Sequence, residues 1–305
     1  MNGPGIPPVS APPTDWELDY YSRPILEADG RKRWELLICA PPAPVPAGRE
    51  AFGVGQPFRW ERPCPASSVN SLWLREALEE ALEDARALGL SRPRRVRCWR
   101  ASMRTMVQRA VEAVGLEMVA SRRCYSLVEW LQERQATVYP LEEGFMVGPL
   151  APPASPIRPV PVPLPEAARG DRWAWATLPV EALSEAAEWD LGFSGLLPAP
   201  AGLDSSAPVP GIRLFSRSRA LAIAGWLAGL EPVRLELDGN RLVLEAGLED
   251  RWLLTDLPSE ECLAAAQALA QSRDQSGGLQ FIAVQSEANI PRLEGFWVLR
   301  DLPDA

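Results

Sequence analysis

Apolar and polar residues alternate from Trp16 to Tyr20 at the start of WELDYYSRPIL, and RKRWELLIC passes from a polar start to a mostly apolar end, on either side of Asp29-Gly30. Both stretches read as strands, and Asp-Gly is a strong turn signal, so Trp16 to Cys39 is expected to be a hairpin. A further extended stretch is expected around Phe52 to Trp60. The period then changes. Leu74, Leu78, Ala81, Leu82, Ala85 and Leu88 share one helical face, while Glu76, Glu79, Glu80, Glu83 and Asp84 lie elsewhere. Asn70 or Ser71 caps this helix and Gly89 ends it. Arg95 to Arg100 reads as a strand. Met103, Met106, Val107, Ala110, Val111 and Val114 then mark a helix, with Ser102 as its expected cap and Gly115 as its stop. Leu116 to Ala120 is another strand. Ser126 and Glu129 have capping-box spacing at the start of YSLVEWLQER. The order of this half is β-β-β-α-β-α-β-α, which is how a ribonuclease H-like domain begins.

Eight prolines fall between Pro149 and Pro165, a composition that favours extended polyproline II over helix or sheet ladders. This stretch divides the chain into a Pro-rich lead at 1–13, an N-terminal α/β domain at 14–148, a linker at 149–170 and a C-terminal α/β domain at 171–305. The second domain opens with a strand at Trp173 to Leu178 and a helix near Val180 to Trp189, followed by a loop from Ser194 to Pro210. Beyond it lie the strand IRLFS, an apolar helix from Arg219 to Gly229, and strands VRLEL and RLVLEAG turning at Asp238-Gly239-Asn240. RWLLTDL is a further strand, Ser259 caps ECLAAAQALAQ, and LQFIAVQS and GFWVLRDL close the chain as strands. RVRCWRASMRTMVQRAVEAVGLEMV and GIRLFSRSRALAIAGWLAGLEPVRL share a strand, Ser, helix, strand pattern. Either a duplicated module or ordinary α/β punctuation produces it.

Composition narrows the chemistry. The chain has no histidine, which removes the usual general base near neutral pH and the commonest metal ligand. Its five cysteines, Cys39, Cys64, Cys98, Cys124 and Cys262, are odd in number with no CxxC pair, against a disulfide framework or a zinc finger. No cofactor or metal is implied. The longest apolar run, Ala220 to Leu230, has 11 residues, well short of the roughly 20 that span a bilayer. No membrane insertion is expected, and a leader without signal features points to the cytoplasm. Net charge is −9, but the distribution says more. From Arg92 to Arg123 nine arginines stand against two acids, Glu112 and Glu117.

The strings WELDYYSRPILEADGRKRWELLIC, Val69-Asn70-Ser71, RCWRASM, SRRCYSLVEWLQER, Val138-Tyr139-Pro140, GLQFIAVQS and GFWVLRDLP resemble those of the Tab-two/Atab-two family of cyanobacteria and chloroplasts. The name-giving members are RNA-binding activators of translation for a photosystem I reaction-centre subunit. The resemblance covers most of the chain outside the Pro-rich stretches. It implies a non-enzymatic RNA-binding protein regulating translation or biogenesis of photosystem subunits, mainly of photosystem I, in a cyanobacterium. The implied partner is single-stranded RNA, a messenger leader, with protein partners also open.

The resemblance does not name the residues that touch RNA. Phosphates favour clustered cations and helix N-termini, and single strands favour exposed aromatics between them. The candidate RNA contacts are Arg100 and Arg104 flanking Ser102, with Arg122, Arg123, Trp99 and Tyr125. The competing reading keeps Arg92, Arg94, Arg95 and Arg97 on a solvated strand face balanced by the acids of the preceding helix, and Trp99 in the core. Two other functions are weighed. A divalent-metal nuclease would use Asp19, with Glu17, Glu35 or a helix glutamate, but needs three or more converging carboxylates. An assembly or scaffold factor for photosystem I would use the polyproline segment as a partner ligand, for which a plain spacer is the simpler role.

Overall fold

The computed structural model describes residues 15–41, 58–147 and 159–301, apart from 198, 201, 258, 290 and 291. The Pro-rich lead, most of the extended stretch begun at Phe52 and the linker up to residue 158 lie outside the described residues. The chain divides into two compact units. The first holds the described residues up to Ala120 together with 126–147. The second holds Ser121–Tyr125 and everything from 159 onwards.

In the first unit the expected hairpin forms as β1 (Trp16–Leu26) and β2 (Lys32–Cys39), paired antiparallel from Glu17↔Cys39 to Leu26↔Lys32. The turn closes when the Glu27 N–H bonds the Arg31 carbonyl, and Gly30 supplies its positive φ of 78°. Then come β3 (Arg59–Cys64), α1 (Ser71–Ala87), β4 (Arg95–Cys98), α2 (Arg104–Ala113), β5 (Glu117–Ala120) and α3 (Tyr125–Thr137). The sheet order is β3-β2-β1-β4-β5, with β4 and β5 parallel to β1. Asn70 caps α1 by accepting from the Leu72 and Trp73 N–H groups, each at 2.9 Å. The even residues of β1, Trp16, Leu18 and Tyr20, join Leu36 and Ile38 of β2 and the apolar stripes of α1 and α2 in one core.

Two expected caps are corrected. A short 3-10 turn, Ala101–Met103, precedes α2, so Ser102 sits inside that turn and caps nothing. Ser126 lies within the first turn of α3, and the Leu127 N–H there is bonded at 2.7 Å by the carboxylate of Glu17. The capping-box pattern is local; a carboxylate from another element outcompeted it at the helix end.

The second unit contains two sheets. One is the antiparallel run β10 (Pro232–Asp238), β11 (Arg241–Ala246), β12 (Asp250–Asp256), extended by the two-residue β6 (Val162–Pro163). The other has the order β7-β9-β13-β14-β8, made from β7 (Arg172–Pro179), β8 (Leu191–Gly195), β9 (Pro208–Phe215), β13 (Leu279–Gln285) and β14 (Leu293–Arg300). Three helices complete it: α4 (Val180–Glu185), α5 (Ala220–Leu230) and α6 (Glu260–Gln275), the last capped by Ser259 as expected. β6 corrects the expectation that the proline stretch sustains no ladder. Val162 and Pro163 lie at a sheet edge opposite Trp252 and Leu253, where a missing N–H costs no pairing partner.

Both faces of β13 are buried, which is why Phe281 to Val284 reads as a continuous apolar run. Ile282 and Val284 face a core shared with α5 and the β10-β11-β12 sheet. Phe281 and Ala283 face a second core with α4, Phe296 and Val298. The apparent duplication ends at its helices. After α2 the chain returns to the same sheet as β5, parallel to β4, whereas after α5 it enters the other sheet as β10.

Candidate nucleic-acid interface

The odd residues of β1 carry Glu17, Asp19, Tyr21 and Arg23 on one face. That polar face is buried: Asp19 is 0% exposed, Arg23 1% and Glu17 2%. Asp19 accepts from Arg23 Nη1 at 2.7 Å and Trp99 Nε1 at 2.9 Å, and from the guanidinium of Arg100 through both oxygens. Glu35 takes Arg23 Nε at 3.0 Å and the Tyr139 hydroxyl at 2.9 Å, with Arg134 Nη2 at 3.5 Å. Arg134 also pairs with Glu61 and donates to the Tyr139 hydroxyl oxygen. Burial pushes the Asp19 carboxyl up, and Arg100 and Arg23 outweigh it, so the group is held below its ordinary range and stays charged. Glu17, Asp19 and Glu35 do share a face, as an acidic cluster requires, but each is matched by arginine, tyrosine or a helix N–H. Among the described residues no three His, Cys, Asp or Glu side chains gather as a metal site.

This layer decides what several candidate residues do. Arg100 is 6% exposed, its guanidinium held against Asp19 and stacked 4.0 Å from the Tyr21 ring centre and 4.3 Å from that of Trp99. Trp99 is half-buried and donates to the same carboxylate. Arg123, also 6% exposed, donates to the carbonyls of Pro232 at 2.8 Å and Gly195 at 2.7 Å. The buried Tyr125 hydroxyl donates to the Val233 carbonyl at 2.7 Å. Arg122 is half-buried and pairs with Glu245 at 2.9 Å. These groups are spent inside the protein. Ser102 and Arg104 remain, both exposed.

The same accounting empties much of the arginine excess. Arg94, Arg95 and Arg97 converge on Asp15 at 3.7, 2.9 and 2.9 Å, and Arg92 donates to the Val114 carbonyl. The expected pairing with the acids of α1 is thereby corrected: Arg94, Arg95 and Arg97 instead share an aspartate at the foot of β1. Arg104 and Arg109 are exposed and have no acidic partner among the described residues. With the exposed Arg92 and Arg94 they are the part of the cluster whose charge is available to a ligand.

Glu245 gathers a second buried set in the other unit. Arg122, Arg234 at 2.8 Å and Arg251 at 3.4 Å surround it. Burial raises its pKa, but a hydrogen bond with Glu236 and the charges of Arg122 and Arg234 prevail, leaving it at about 2 against an ordinary 4.5. A depressed carboxylate stabilises the fold above its unfolded pKa, and that contribution disappears as pH falls through the folded value. Stability of the second unit is therefore expected to fall between about pH 4.5 and 2. Glu245→Gln should flatten that limb in urea titrations at stepped pH; an unchanged limb would assign acid sensitivity elsewhere. Burial lifts Cys98 to about 12 and pushes Cys39 well above its ordinary value, and none of the five cysteines is in a disulfide.

Comparison with known proteins reads the same two halves. Residues 15–134 match the family model described as RNA-binding protein Tab2/Atab2 N terminal, and residues 151–300 match the corresponding C-terminal domain. The chain belongs to the Tab2/Atab2 family. A Zea mays protein named Protein TAB2 homolog, chloroplastic, is 37% identical over 95% of this chain and 72% of its own length. The Arabidopsis thaliana protein of the same name is 33% identical over 95% of the chain and 75% of its own length. No solved structure matches the chain. Among the described residues of this Tab2/Atab2 member, no helix is long and apolar enough to cross a membrane. The reading of residues alone had missed the partners that commit Arg100 and Arg123. The polar positions of WELDYYSR are a local sign of the Asp19 that holds Arg100, whereas nothing near Arg123 points to the Pro232 and Gly195 carbonyls that hold it.

Proposed function

We propose that the protein is a non-enzymatic, RNA-binding regulator of translation or biogenesis of photosystem subunits, chiefly of photosystem I, acting on a single-stranded messenger leader in the cytoplasm of a cyanobacterium. The observation that carries the RNA part is that both halves match models of an RNA-binding family. The photosystem part is supported by the chloroplastic relatives. Phosphate contact falls to Arg104 with Ser102, joined by Arg109 on the same helix, because their side chains are exposed and cations released from internal pairing displace counterions from RNA. Arg100, Arg123 and Tyr125 are buried and committed to internal partners, while Trp99 and Arg122 keep part of their surface open.

Arg104→Ala with Arg109→Ala should leave the fold unchanged. It should weaken binding of single-stranded oligoribonucleotides across sequences and reduce the slope of log affinity against log salt by about one to two. An unchanged slope would remove α2 from the interface. Absence of any RNA binding by the unaltered chain would overturn the function itself.

A further inference from the structure

One face of the five-stranded sheet of the second unit is incompletely filled. On it β7 and β13 contribute alanines, Ala176 and Ala283, where the strands elsewhere carry Leu178 and Phe281. Small side chains in a row of large ones leave a void, and here it is an open cavity of about 790 Å³. That lies within the roughly 300–1,000 Å³ of sites for small organic ligands.

The lining has two characters. One wall is aromatic: Trp189 stands edge-on to Phe296, ring centres 5.1 Å apart, and Phe296 tilts against Phe281 at 5.6 Å. The rest is cationic and amide-bearing. Arg213 lies beside the alanine floor and is held by the Gln285 side-chain oxygen, 2.8 Å from its Nε. Arg292 and Asn289 are exposed at the rim, with Arg292 3.8 Å from Asp190. Both members of that last pair are more than half exposed, so an incoming anion exchanges with Asp190 at little cost.

A flat apolar floor, an indole wall, side-chain amides and two guanidinium groups together match the needs of a nucleotide. Its base stacks on aromatic or apolar surface, its edges take hydrogen bonds from amides, and its phosphate takes arginine. A lipid tail would leave the arginines and amides unmatched. We propose that this cavity receives one unstacked nucleotide of bound single-stranded RNA, its base held by Trp189 over the alanine floor and its phosphate met by Arg213 and Arg292. The proposal rests on the RNA-binding function above and locates a base-reading site in the second unit, apart from the phosphate contacts of α2.

The test uses the full chain and fluorescently labelled ten-nucleotide homopolymers of each ribonucleotide, with binding followed by anisotropy. Ala288→Trp fills the mouth from an exposed position, and Arg292→Glu reverses an exposed charge; neither disturbs the core. Each is expected to lower affinity about tenfold, Ala288→Trp by the loss of one stacked base and Arg292→Glu by the loss of a phosphate contact, and Ala288→Trp should also compress the differences among the four homopolymers. Thermal unfolding of both variants should coincide with that of the parent chain. Parental affinity and base preference in both variants would overturn the pocket while leaving the RNA-binding function standing. A parent chain that binds none of the homopolymers would overturn the function first and the pocket with it.

Discussion

Asp19→Ala is expected to destabilise the first unit by about 3–5 kcal/mol, the cost of removing one partner from a buried ion pair. The carboxylate is 0% exposed and compensates two guanidinium groups, those of Arg23 and Arg100, themselves 1% and 6% exposed. Arg23 has Glu35 as a second partner, while Arg100 would be left stacked between Tyr21 and Trp99. Native domains are stable by only about 5–15 kcal/mol, so the variant should unfold at much lower urea concentration or fail to accumulate. Asp19→Asn retains the shape but not the charge and should fall between the two. A loss below about 1 kcal/mol in urea titrations followed by circular dichroism would show that the layer is hydrated and weakly coupled.

Gly211→Ala should cost about 3 kcal/mol in the second unit, at the upper end of overpacking effects. Gly211 sits on β9 between Ala176 of β7 and Phe281 of β13, and the Phe281 ring lies over its Cα. A Cβ at 211 would come within 2.6 Å of that ring and closer still to the Phe281 carbonyl oxygen. The ring can rotate away, but the carbonyl belongs to the parallel pairing of β9 with β13. The expected result is a lower urea midpoint with an unchanged m-value. A change within 0.5 kcal/mol would mean that the two strands separate freely there. Because Phe281 also lines the nucleotide pocket, RNA affinity should fall with the ring's displacement.

Much of the fold could be read from periodicity. α1 announced itself through its leucine and alanine stripe and the Asn70 cap, α6 through Ser259, and the first hairpin through the Asp29-Gly30 turn between two strand-like stretches. What failed were inferences from local chemistry at places where a distant group competes. Ser102 and Ser126 carry good capping signals, yet one helix starts after a 3-10 turn and the other is met by Glu17, 110 residues away in the chain. β6 escaped notice because proline is a poor strand former everywhere except at an edge. The candidate site suffered most. Nine arginines in a short stretch are a charge cluster only in one dimension. In space, Asp15, Asp19 and Glu245 pair with many of them, and no pattern within the stretch reveals acids 80 or 123 positions away.

The two faces of β1 carry a further implication for how this chain finds its structure. Trp16, Leu18 and Tyr20 give the strand an apolar face, Glu17, Asp19 and Arg23 an ionic one, and all six are buried. A slip of β1 by one residue would drive Glu17, Asp19 and Arg23 into the apolar core beneath α1 and α2, and would set Leu18 and Tyr20 against Glu35, Arg100 and Arg134. An ordinary half-exposed strand penalises such a slip once; this one penalises it on both sides. The ionic layer therefore acts chiefly as a proofreader of strand alignment. An all-apolar replacement of it would be expected to raise the melting temperature while populating misaligned forms, visible as doubled amide resonances for β1 and β2.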